Sequence, residues 1–184
     1  GLIGSALVES LRADGHEVLR LVRRSSTAST EIAWNPATGS LQTELLKGCD
    51  AAINLAGAGV GDHRWSAKYK QEILDSRVSS TKLIAQACVD ANIPTLINAS
   101  AIGYYGDTGD NEVDETSPRG HGFLPDVVVA WEAAAEVARQ NGVRVVHPRT
   151  GLVVSSAGGA WGRMVPLFKL GLGGKMGSGK QYWS

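Results

Sequence analysis

The four residues Gly1-Leu2-Ile3-Gly4 constrain this chain more than any later stretch. Gly-x-x-Gly pairs are common in ordinary turns, so the context decides. Apolar Leu2, Ile3, Ala6, Leu7 and Leu11 recur at helical spacing, Gly15 supplies a stop, and Glu17-Val18-Leu19-Arg20-Leu21-Val22 reads as a strand. A glycine-opened helix running into a strand is the second half of a βαβ unit of the kind that holds a nucleotide. Glycine lets backbone approach a pyrophosphate, and free N–H groups at a helix start favour an anion. Gly1, Leu2, Ile3 and Gly4 are therefore expected to touch a dinucleotide. The first strand of such a unit lies at the centre of its sheet, so the reading expects a strand and a first glycine before Gly1.

The strand end carries a second signal. A ribose 2′-hydroxyl is usually held there by Asp or Glu, whereas this chain offers Arg23 and Arg24, which suit the 2′-phosphate of NADP(H). The plain alternative is a solvated basic strand end before the Ser/Thr-rich loop 25–30.

At 184 residues the chain has room for one ordinary domain and part of a second. Hydrophobic content of 43% with 20% charge describes a soluble globular protein. No apolar run approaches the roughly 20 residues needed to span a bilayer. A cytoplasmic setting is expected, with a targeting segment before Gly1 left open. Cys49 and Cys88 form no disulfide or metal pattern, and the four histidines show no ligand spacing. Charge balances, 18 basic against 18 acidic, which argues against nucleic acid as a partner. The distribution is uneven, however. Residues 101–136 hold eight acidic side chains against Arg119, and from Val143 onward the charged residues are Arg144, Arg149, Arg163, Lys169, Lys175 and Lys180.

Taken in order, Glu31-Ile32-Ala33-Trp34 reads as a short strand ended by Asn35-Pro36, and 42–47 as a brief helix. Residues 50–57 read as a buried strand breaking into glycine, with Leu55, Ala56 and Gly57 at the carboxyl edge of a sheet, where α/β folds bind ligands. Residues 66–91 read as a helix capped by Ser66, its apolar face made by Ile73, Val78, Leu83, Ile84, Ala87 and Cys88. Arg77 within it could reach inward, but a surface ion pair is the commoner fate and is expected. A strand over 95–100, a long polar loop over 103–121, a helix over 125–140 and a strand over 143–147 follow. A short apolar helix is expected over 164–170. The alternation predicts an α/β fold, a Rossmann-like doubly wound parallel sheet with its first strand missing, over 1–150. Residues 151–184 are expected to begin a small C-terminal substrate domain.

Several further stretches carry a family resemblance. They are Ile53-Asn54-Leu55-Ala56-Gly57, Arg64-Trp65 with Ser76-Arg77, and Ser100-Ala101-Ile102-Gly103-Tyr104-Tyr105-Gly106. Trp131-Glu132-Ala133-Ala134, Arg149-Thr150-Gly151, Gly171-Leu172-Gly173-Gly174 and Gly177-Ser178-Gly179-Lys180-Gln181 complete the set. With Gly1-Leu2-Ile3-Gly4 they make the whole chain resemble an extended short-chain dehydrogenase/reductase, specifically its epimerase branch. The resemblance implies that Ser100 stands where a hydroxyl residue assists hydride transfer. It also implies that Arg149 leads from the nicotinamide end toward the substrate region. The superfamily's Tyr-x-x-x-Lys pair, set four apart on one helix face, falls on Val127 and Trp131. Tyr104 and Tyr105 are the nearest phenols, and either needs nearby positive charge to act near neutrality. Asp126 and Glu132 are alternative general bases, although both read first as solvated helix carboxylates. Ser100 and Tyr104 are the catalytic candidates. Gly1, Leu2, Ile3, Gly4, Arg23, Arg24, Leu55, Ala56, Gly57, Ser100 and Arg149 are the cofactor-binding candidates. Two functions remain open: an NADP(H)-dependent oxidoreductase or epimerase-like enzyme acting on a small molecule, and an NADP(H)-binding protein without turnover. The sequence leaves the substrate and self-association open.

Overall fold

The glycine-opened segment folds as helix α1 (Leu2–Ala13), and Gly15 ends it with a left-handed φ of 85°. In this computed structural model, which describes residues 1–175 and 177–179, β1 (Arg20–Val22) follows and pairs in parallel with β2 (Glu31–Asn35). The expected strand from Glu17 is shorter because its ladder begins only where Arg20 meets Glu31. β2 turns back at Asn35-Pro36 to pair antiparallel with β3 (Ser40–Leu41), a strand too short to register as a pattern. The brief helix after it is a 3₁₀ turn over Thr43–Leu46.

The second array is parallel: β4 (Ala52–Asn54), β5 (Thr95–Asn98) and β7 (Arg144–Val146), with β5 in the centre. Between β4 and β5 lies α2 (Ala67–Asp90), whose Ser66 hydroxyl accepts the Tyr69 N–H at 3.2 Å. Its buried face includes Ile73, Ile84, Ala87 and Cys88, as the apolar spacing predicts. The predicted helix over 125–140 divides into α3 (Phe123–Ala133) and α4 (Glu136–Gln140). β6 (Ser100–Ala101) and β8 (Arg149–Thr150) form a parallel two-strand extension, Ser100 opposite Arg149. Helix α5 (Gly159–Lys169) begins earlier than the predicted 164–170. Among the described residues β1 is not hydrogen-bonded to β4, so the parallel pair β1–β2, the array β4–β5–β7 and the extension β6–β8 are separate sheets.

The core lies between α2, α4 and the β4–β5–β7 array. Ile84, Cys88, Ile93, Leu96, Ala135, Ala138 and Val143 pack there together. Three polar side chains are built into the same layer. Asn54 Nδ2 donates to Thr81 Oγ1 at 3.0 Å and to Asn98 Oδ1 at 2.7 Å, while Thr81 Oγ1 donates to Asn98 Oδ1 at 2.9 Å. This closed triangle ties the ends of β4 and β5 to α2. Those ends carry the site.

Candidate functional site

The carboxyl ends of β4, β5 and β7 open onto one edge, the position where parallel α/β sheets receive ligands. Beyond β4, the Ala56 N–H bonds Asn54 Oδ1 at 3.2 Å and the Ala58 N–H bonds Ser76 Oγ at 2.9 Å, which fixes the turn through Leu55-Ala56-Gly57. A Cβ at Gly4 would sit 3.6 Å from Leu55 Cδ1, so the start of α1 adjoins this turn. Leu2 lies against Gly158 and Gly159, which brings the start of α5 to the same place. The first turn of α1 has no side-chain cap and no acidic residue. Its N–H groups suit the pyrophosphate of a dinucleotide by both geometry and sign.

Arg77 departs from its expected surface ion pair. It is 9% exposed, lies beneath the turn, and donates from Nη1 to the carbonyls of Ala58 and Ile73, each at 3.0 Å. Its guanidinium carbon is 5.0 Å from the centre of the Trp131 ring, within cation–π distance. Burial lowers its pKa from the ordinary arginine value. Gly57 carries the reason for the turn's composition, since a Cβ there would lie 3.2 Å from Arg77 Cγ and Cζ.

Beyond β5, a second group of side chains converges. Ser100 is buried, and its hydroxyl donates to Glu132 Oε1 at 2.5 Å. Glu132 also receives Arg149 Nε at 2.9 Å and Nη2 at 3.0 Å, a bidentate pair whose side chains are 19% and 16% exposed. Arg149 Nη1 reaches the Tyr105 hydroxyl at 2.9 Å, and its guanidinium carbon sits 3.5 Å from the Tyr104 ring centre. Glu132 is thus no solvated carboxylate. Burial works to raise its pKa, but the Arg149 fork and the Ser100 hydroxyl outweigh it and hold the group below the ordinary carboxyl value. The pairing with Glu132, followed by Tyr105, keeps Arg149 above the usual arginine range. Asp126, by contrast, is exposed and paired with Arg119, as expected of a surface carboxylate.

The structure brings Ser100, Tyr104 and Arg149 to one place, and Gly4 to Leu55. Glu132, which joins them, reads from the sequence as a candidate base but first as a solvated carboxylate, because nothing in a helix pattern reveals a partner on a strand edge 17 residues later. Val127 and Trp131 are 3% and 7% exposed on α3, so the helix face expected to carry Tyr and Lys is core. The Arg pair splits. Arg24 donates from Nη1 and Nη2 to the two Glu31 oxygens, each at 2.8 Å, and Arg20 also pairs with Glu31. Arg24, followed by the Thr27 N–H, pulls the Glu31 carboxyl down to about 2. Arg23 is exposed, with no side-chain hydrogen bond or ion pair among the described residues. Lys180 and Gln181 of the last glycine motif lie outside the described residues.

Residues 1–165 match the family described as NAD dependent epimerase/dehydratase. The chain belongs to that family. It is an epimerase-branch short-chain dehydrogenase/reductase with a Rossmann-like fold, in a family named for its nicotinamide cofactor. Epimerase family protein Mb2239 of Mycobacterium bovis is 50% identical over all of this chain and 61% of its own length. A structure of the human epimerase family protein SDR39U1 with NADPH superposes with a TM-score of 0.86 at 36% identity, over 100% of this chain and 61% of that one. The nucleoside-diphosphate sugar epimerase of Corynebacterium glutamicum superposes at 0.85 and 37%, over 100% of this chain and 38% of that one. The chain spans about three fifths of the curated relatives it matches. Among the described residues no helix is long and apolar enough to cross a membrane.

Proposed function

We propose that this family member binds NADP(H) and acts as an oxidoreductase or epimerase-like enzyme on a small molecule held near Ser100 and Tyr104. One observation carries the reading. The uncapped start of α1, the Leu55–Gly57 turn and the Ser100–Glu132–Arg149 network with its two tyrosines all occupy one sheet edge. A nicotinamide bound there supplies or accepts a hydride; the chain orients it and excludes water. The α1 N–H groups hold the pyrophosphate, and Leu55, Ala56 and Gly57 form the wall beside it. Arg23 takes the ribose 2′-phosphate, because Arg24 is already committed to Glu31. The NADPH in the human relative supports NADP(H) over NAD, and the Corynebacterium relative's description supports a sugar nucleotide as the substrate class. Residues 151–184 open the substrate-binding region in this reading.

A second reading, cofactor binding without turnover, is favoured by the burial of apolar Val127 and Trp131 where an acid/base pair is expected. Both readings require NADPH binding. The test is a titration of the intact protein with NADPH and NADH, followed by nicotinamide fluorescence, beside Arg23→Ala and Arg24→Ala. NADPH is expected to bind at least about tenfold more tightly, and Arg23→Ala to erase that preference. A charge-assisted hydrogen bond of about 1.5–3 kcal/mol corresponds to about 10–100-fold in affinity. Absence of NADPH binding sinks both readings. Turnover with a carbonyl substrate then separates the enzyme from the binder.

A further inference from the structure

The geometry points to Tyr105 as the proton donor of this site, with Arg149 as its fixed cation in place of the lysine that α3 lacks. The assignment rests on the hydride-transfer reading above. When a carbonyl is reduced, its carbon takes the hydride pair from the nicotinamide and its oxygen needs a proton. A side chain can give that proton readily only if its own oxygen is stabilised once the proton has gone.

Three hydroxyls stand near the Arg149 guanidinium, and their geometries differ. The Ser100 proton is spent on Glu132 Oε1 at 2.5 Å, and the side chain is buried. Tyr104 presents its ring face to the guanidinium carbon at 3.5 Å, so the charge meets the π-system rather than the hydroxyl. Tyr105 presents its oxygen, which accepts Arg149 Nη1–H at 2.9 Å. An oxygen that accepts from a cation keeps its own proton for another acceptor, and the phenolate left behind faces a guanidinium. Tyr105 is half-buried, so its hydroxyl is not sealed in the core as Ser100 is.

Arg149 is held for this task. Nε and Nη2 clasp the two Glu132 oxygens at 2.9 and 3.0 Å, which leaves Nη1 pointing at the phenol. Guanidinium remains charged whatever the phenol does. Glu132 itself is a poor base, because it is engaged by Arg149 and Ser100; it is a positioning residue. The backbone of the tyrosine pair is pinned as well. The Gly120 N–H bonds the Tyr104 carbonyl at 2.9 Å, and any side chain at 120 would strike the Tyr105 carbonyl.

The step balances without a further reagent. The carbonyl π pair moves to oxygen, which takes the Tyr105 proton; the alcohol and oxidised nicotinamide are the products, and water returns the proton to the phenolate. The reverse reaction runs the same transfers backwards.

The experiment uses the intact protein, first titrated with NADPH, then supplied with aldehydes, ortho-quinones and nucleotide-linked keto-sugars as hydride acceptors. Tyr105→Phe is expected to lower kcat by about 100-fold or more, with KM and NADPH affinity unchanged. Arg149→Lys is expected to keep more kcat than Arg149→Met, because it keeps the charge. A readout without turnover accompanies them: the ¹³Cζ resonance of Tyr105, assigned by its loss in Tyr105→Phe, should move in Arg149→Met. Tyr105→Phe removes one oxygen and decides the matter if the Arg149 variants fail to fold. Full kcat in Tyr105→Phe, an equal loss in Tyr104→Phe, or bound NADPH that no acceptor consumes overturns the assignment. Equal loss in Arg149→Lys and Arg149→Met, or an unmoved resonance, overturns Arg149 as the partner. Failure to bind NADPH overturns the hydride-transfer reading instead, and the resonance still decides the pair.

Discussion

Asn98 shows how much of this molecule is settled by single buried polar atoms. Its side chain has no exposed surface, and its Oδ1 is the shared acceptor for Asn54 Nδ2 and the Thr81 hydroxyl. Asn98→Leu removes that acceptor while both donors stay buried. The expected cost is about 2–3 kcal/mol in urea unfolding, above the roughly 1 kcal/mol of one ordinary hydrogen bond, because desolvated groups are left unsatisfied. No local pattern exposes such a triangle, since its corners are 27 and 17 residues apart. The partners of Glu132 and Arg77 are hidden for the same reason. Each sits in a helix, and its partner (Arg149 for one, the Ala58 carbonyl for the other) lies on a segment that the helix pattern does not reveal. Ser100, Gly57 and Arg149 were legible because they fall in compact motifs at strand ends, where short-range order of residues is itself the signal.

At the scale of elements, legibility follows locality. Helix α2 was readable to within a residue, because the Ser66 cap and the apolar spacing are written in neighbouring positions. Ser66→Ala withdraws the acceptor from the Tyr69 N–H and is expected to cost about 1 kcal/mol, measured as a lower urea midpoint at unchanged slope. β1 is shorter than its sequence pattern and β3 carries no pattern, because strand ends depend on where a partner begins and a single sequence holds no register. The helix expected over 125–140 divides at Ala134 and Ala135. Both are buried small residues, Ala135 within the layer between α2 and the sheet, and nothing in their spacing announces a break.

For the whole molecule, balanced composition conceals an uneven arrangement of charge. Glu31 is the buried hub of two arginines, and its pKa falls from 4.5 to about 2. A depressed carboxyl contributes stability that is complete above its unfolded value and lost as pH falls through the folded one. Urea midpoints of the wild type should therefore decline as pH drops from 4.5 toward about 2, and Glu31→Gln should flatten that part of the curve. An identical acid slope in the variant would mean other carboxylates dominate. The parallel α/β class was legible from alternation alone, whereas the division of the strands into separate short sheets with defined register is a property of the folded chain. The long loop before α3 has its own consequence. Its base is closed where Gly106 meets Gly120, while residues between them are mostly exposed. Lengthening a loop that is already closed costs little entropy. Peptide grafts and inherited insertions should accumulate between those two glycines, leaving the tyrosines where they stand.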